Sequence, residues 1–103
     1  MAWFTSLLAD YSGTVDPAWL RPAVTVADFF SPFVRSAKSY GPPKAREEYE
    51  AAIAADRKLI EDTMQSGDLL RPWWKGSYGP GRVGVAILRG EQVVKAWETA
   101  VLV

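Results

Sequence analysis

The longest regular pattern of apolar and polar positions runs from Lys44 to Ser66, KAREEYEAAIAADRKLIEDTMQS, without a glycine or a proline. At about 100° per residue, Ala45, Tyr49, Ala52, Ile53, Leu59, Ile60 and Met64 share one broad face, and most charges lie on the other. Its residues are mostly strong helix formers. Gly41-Pro42-Pro43 precedes it, and Gly67 stands where a left-handed C-cap would take a glycine. The stretch therefore predicts one long amphipathic helix. Its possible ion pairs, Lys44–Glu48, Arg46–Glu50, Arg57–Glu61 and Lys58–Asp62, all run basic to acidic, the weaker order against the helix dipole. Such a helix depends on whatever covers its apolar face.

A second pattern lies near the C-terminal end. Arg82–Arg89 is rich in β-branched residues, Gly90-Glu91 suits a two-residue type II′ turn, and Gln92–Val103 is a second extended run. A simple hairpin register sets Leu88 opposite Val93, Ile87 opposite Val94 and Gly84 opposite Trp97, the glycine leaving room for the indole. In the last run Val93, Trp97, Val101 and Val103 alternate with Val94, Ala96, Ala100 and Leu102. Both faces are apolar, which predicts a strand covered on both sides.

The N-terminal part is less regular. Residues 3–11 can be read as a strand or as a helix, and the aromatic content together with the Ser12-Gly13 stop favours a strand. Asp16-Pro17 is an N-cap followed by proline, opening one helical turn that Pro22 ends. Residues 23–30 are either a short strand or a helical turn capped by Thr25. Ser31-Pro32 repeats the cap-then-proline signal and predicts a short helix over 32–40, with Phe29, Phe30, Phe33 and Val34 in the core. Residues 68–72 read as a turn, and 73–81 as a loop containing aromatic residues.

These elements predict one α+β domain over 1–103. The long helix packs on a small antiparallel sheet that includes the C-terminal hairpin, and one or two short helices complete it. A chain of 103 residues is of single-domain size. Five Trp, four Tyr and four Phe are many for that length, enough to fill a core or line a binding surface. Basic and acidic residues balance at 12 each, so no overall field draws nucleic acid or an anionic membrane. There is no apolar run of membrane-span length and no basic stretch of signal-peptide type before the first apolar residues; a cytoplasmic protein is expected.

The chain has no cysteine and no histidine, which removes thiol chemistry, disulfides, the commonest general base and the commonest transition-metal ligand. Without histidine a Ser-His-Asp triad is impossible. Gly79-Pro80-Gly81-Arg82-Val83-Gly84 matches G-x-G-x-x-G literally, but it precedes a strand instead of joining a strand to a helix. No cofactor or metal is expected.

Two features remain. Asp56 falls in the middle of the long helix's apolar face, where an ionised carboxylate costs several kcal/mol unless it is hydrogen-bonded or paired. It is a structural acceptor, a contact to another chain, or a functional carboxylate in a pocket. Arg71, Trp73, Trp74, Lys75, Tyr78 and Arg82 make an aromatic and basic stretch that could answer Asp56 or anchor a partner. The expected function is a non-enzymatic structural or protein-interaction subunit of a larger assembly, with a protein partner or self-association. A homo-oligomer or a virion-type component would suit this profile. The alternative is a small ligand-binding domain or enzyme whose pocket lies between helix and sheet and uses Asp56 with the loop aromatics.

Overall fold

The computed structural model describes residues 6–76 and 81–99. Four strands form one antiparallel sheet: β1 (Leu8–Asp10), β2 (Leu69–Lys75), β3 (Arg82–Arg89) and β4 (Gln92–Thr99), in the spatial order β1-β4-β3-β2. Helices α1 (Val26–Lys38) and α2 (Pro43–Thr63) cover one face. The segment from Tyr11 to Leu20 crosses the other. The fold is thus α+β, with the long helix packed against a sheet that contains the C-terminal hairpin. At about 1.5 Å per residue, α2 runs about 32 Å, close to the full width of the molecule.

The hairpin forms around Gly90, whose φ of 64° together with the absence of any positive φ at a described non-glycine residue makes a type II′ turn. Leu88 pairs with Val93 as expected. A bulge then shifts the register by one, so Ile87 faces Lys95 and Gly84 faces Glu98. The expected pairs Ile87–Val94 and Gly84–Trp97 do not form. Because side chains alternate along a strand, the extra residue turns everything beyond it to the opposite face. Val93 packs on the Tyr11–Leu20 side, Trp97 joins the helix side, and Val94 is left exposed. The last strand is central and covered on both faces, as its two apolar faces predict. Residues 100–103 of that run lie outside the described residues, as do residues 3–5 of the N-terminal stretch 3–11.

Leu69–Lys75 is a strand where a turn and loop are expected. Pro72 is tolerated because its carbonyl accepts from Arg21 N (2.7 Å), so its backbone polar groups point away from β3 and no ladder donor is lost. Residues 20–24 lie along that outer edge, bridging Leu20 to Trp73 and Val24 to Leu70. Gly84 makes room for Trp73, its cross-strand partner, instead of for Trp97. A Cβ on Gly84 would run into the Trp73 ring and the Trp97 carbonyl oxygen. Trp73 and Trp97 are both fully buried, and neither indole N–H has an acceptor among the described residues.

The helices differ from expectation at their ends. Helix α1 begins six residues before Pro32, because Thr25 Oγ1 accepts from Asp28 N (3.0 Å) and caps it there. Pro32 therefore sits inside the helix, and Val34 is exposed while Phe30 and Phe33 are buried. Asp16 caps a single turn over Pro17–Trp19 as predicted. Helix α2 stops at Thr63, and Gly67 (φ 87°) belongs to a turn closed by Asp68 N donating to Gln65 O (3.0 Å). Asp68 decides this. Its carboxylate accepts from Gln65 N (2.9 Å) and from Nε and Nη2 of Arg89 (3.0 and 2.9 Å), fastening the turn to the hairpin. Leu59, expected on the apolar face, is exposed at its margin. Among the described residues, no helix is long and apolar enough to cross a membrane.

Replacing Gly84 with Ala should destabilise the fold by about 3 kcal/mol, since Trp73 and a backbone carbonyl cannot both yield; urea unfolding measures this. A pH prediction follows from Asp68. The Arg89 hydrogen bonds, then the Gln65 N–H, hold its carboxyl below the ordinary range. The unfolded chain takes up that proton first as the solution is acidified. The stabilisation is therefore complete above about pH 4 and drains away as pH falls toward the depressed folded value. Asp68→Asn should be less stable than wild type at neutral pH and converge with it in acid, read from denaturation midpoints across that range.

Candidate functional site

The candidate residues do not converge. Asp56 is 3% exposed, and it is answered from the N-terminal strand instead of from residues 71–82. Its Oδ1 accepts from Ser6 Oγ and its Oδ2 from Leu7 N, both at 2.6 Å. Ser6 Oγ in turn accepts from Leu8 N (3.1 Å) and lies 2.7 Å from Leu8 O. Helix α2 thus holds the chain just before β1, and the carboxylate serves as the acceptor for a backbone N–H that is out of reach of water. This placement supports the structural reading of Asp56. The arginines and tryptophans do not supply its partners because the alternation of β2 aims them elsewhere.

Along β2 that alternation divides the candidates between two faces. Arg71, Trp73 and Lys75 lie opposite Ala86, Gly84 and Arg82 and point to the Tyr11–Leu20 side. Trp73 is the anchor there, with Tyr11 and Trp19 rings at 4.9 and 6.1 Å from its own. Lys75 lies over the Trp19 ring (5.2 Å), Arg71 Nε donates to Arg21 O (2.7 Å), and Arg82 reaches Glu98 (3.6 Å). Trp74 points to the helix side, where it is 51% exposed with the Arg21 guanidinium over its ring (5.4 Å). Tyr78 lies outside the described residues.

Trp74 stands at an apolar cleft of about 420 Å³ between the first half of α1 and the adjoining ends of β2, β3 and β4. Val24, Phe29, Pro32, Phe33, Pro72 and Val83 line it, with the exposed Arg21 and Asp28 also contributing. Pro32 has no N–H to give the carbonyl four residues before it, so Asp28 O lacks its intrahelical donor on the side where the proline lines the cleft. The cleft therefore offers an aromatic and aliphatic lining and one cationic and one anionic side chain. Asp56 is not among its lining residues. Among the described residues there is no group of three or more acidic side chains that could hold a metal ion.

Sequence reasoning singled out Trp73 and Trp74 but missed Arg21, Asp28, Phe29 and Pro32. The cap-then-proline signal at Ser31-Pro32 drew the helix start to the wrong place, while Thr25 with Asp28 three residues on was the competing signal that prevailed. The result is a small α+β domain with an aromatic cleft at one end of its sheet. Comparison with family models, with curated proteins and with solved structures gives no match.

The Asp56 anchor is directly testable. Asp56→Ala strands the buried Leu7 N–H and should cost about 3 kcal/mol, and Ser6→Ala, which removes one donor, about 1.5 kcal/mol. Equal urea midpoints for Asp56→Ala and wild type would show that the carboxylate does not hold β1 to α2.

Proposed function

We propose that this chain is a non-catalytic interaction domain, a structural or protein-interaction subunit of a larger assembly, and that it takes an apolar segment of a protein partner into the cleft beside Trp74. The observation that carries this reading is the half-exposed Trp74 with Arg21 stacked on it, at the mouth of an otherwise apolar cleft. Tryptophan and arginine are the residue types most enriched among those that dominate protein–protein binding energy, and they act where a partner excludes water from them. A lone indole left half in water forgoes the burial it could gain, and Arg21 covers only one side of it.

Strand addition is a poor alternative mode of recognition. Residues 20–24 lie on the outer edge of β2, and on β1 the outward-facing N–H of Leu8 is taken by Ser6 Oγ. Recognition then rests on side chains and on the Asp28 carbonyl. The reading that gives Asp56 an acid or base role in a pocket loses its central residue, since Asp56 is engaged with Ser6 and Leu7.

The test compares proteins retained from an extract of the native source by immobilised wild type, Trp74→Ala and, as a control on another exposed apolar residue, Val94→Ala. Trp74→Ala should lose about 2 kcal/mol of partner affinity, roughly 30-fold, with little change in unfolding midpoint, while Val94→Ala behaves as wild type. Retention of the same partners at the same strength by Trp74→Ala rules out the cleft as the recognition element.

A further inference from the structure

On the opposite face of the sheet a second cavity, of about 730 Å³, opens between the Gly13–Leu20 segment and the β3–β4 hairpin. Its apolar wall includes Leu20, Leu88 and Val93, and among the described residues Arg71 is the only cationic side chain that lines it. Arg71 is partly buried and is held in place from behind. Its Nε donates to Arg21 O at 2.7 Å, on the segment that lies along the edge of β2. A guanidinium carries five N–H groups in a planar fork, and this contact uses one of them. Among the described residues, no carboxylate pairs with Arg71 and no acceptor takes its two terminal nitrogens.

An arginine fixed through Nε, with both terminal nitrogens unengaged at a cavity that has an apolar wall, has the geometry that binds a carboxylate through two parallel hydrogen bonds. From this we infer that the cavity is a binding site for a small monocarboxylic acid with an aliphatic body. Arg71 takes the carboxylate, and Leu20, Leu88 and Val93 take the hydrocarbon. The volume is in the range of small-molecule sites, about 300–1,000 Å³. Glu91, which also lines the cavity, sets the charge of the ligand. Arg71 can pair with a single carboxylate, while Glu91 in the same lining repels a second negative charge such as that of a phosphate dianion or a dicarboxylate. Thr14 adds a hydroxyl to the same lining. The site lies on the opposite face of the sheet from the Trp74 cleft, because side chains alternate along β2.

Isothermal titration of the full chain with isocaproate, with its neutral isostere isocaproamide and with inorganic phosphate tests the assignment. Isocaproate should bind saturably at one site, and isocaproamide at least about tenfold more weakly, because a neutral amide forgoes the charge-assisted pair. Arg71→Met should lose the same factor for isocaproate. Thr14→Glu, at an exposed lining position that leaves Arg71 and its anchor intact but adds a negative charge to the cavity wall, should abolish binding even if Arg71→Met fails to fold. Three results overturn the inference: no saturable binding of isocaproate, equal binding of the amide, or tighter binding of phosphate than of isocaproate.

Discussion

The buried carboxyl group of Asp56 constrains the packing of this fold. An ionised carboxylate in an apolar interior is tolerated only where its oxygens accept hydrogen bonds, and a backbone N–H in the same interior needs an acceptor as much as the carboxylate needs donors. Asp56 meets both requirements at once, accepting from the Ser6 hydroxyl and from the Leu7 N–H. The consequence extends beyond the two groups. The contact sets where along α2 the first strand can dock, and β1 in turn covers the free edge of β4. Surface charge on α2 contributes little to this, since the ion pairs formed by Arg46, Arg57 and Lys58 with the acidic residues four positions on are exposed and of the weaker polarity.

The second constraint is that a four-stranded sheet in a chain this short must be covered on both faces. One face has two helices, and the other has only an irregular segment, so large side chains do the filling there. Trp73 is fully buried there, and its ring fits only because its cross-strand partner is a glycine. The bulge at Val94 of β4, opposite the step from Ile87 to Leu88, serves the same end, delivering Val93 to the thinly covered face and Trp97 to the helices. Without the extra residue these two would share a face, leaving one core overfilled and the other short of volume.

The same alternation organises the two surfaces that could meet a ligand. Arg71, Trp73, Trp74 and Lys75 are close neighbours in the chain and read as one cluster, yet β2 sends Trp74 to a cleft under α1 and Arg71 to a cavity beside the hairpin turn. Arg21 touches both. Its guanidinium lies over Trp74 while its carbonyl holds the Arg71 side chain. The edge segment that closes the sheet at β2 therefore also helps to shape the surface on each side of it.

Much of the architecture was legible in residue pattern alone. The long helix follows from its 3.6-residue periodicity, the hairpin from Gly90-Glu91 between two apolar runs, and the single turn at Pro17 from Asp16, because each of these depends on neighbours in the chain. Pattern also marked Asp56 as a group that something must answer. What it could not supply was the partner, since Ser6 and Leu7 lie about fifty residues away and carry no signal of that role. The strand nature of 69–75, the bulge at Val94 and the early end of α2 were likewise decided by tertiary contacts: an edge position that tolerates Pro72, two unequal faces to fill, and Asp68 drawn to Arg89. Local sequence determines which elements can form. Which charges, indoles and cavities come together is settled only when the elements are packed, because that depends on complementarity between residues distant in the chain.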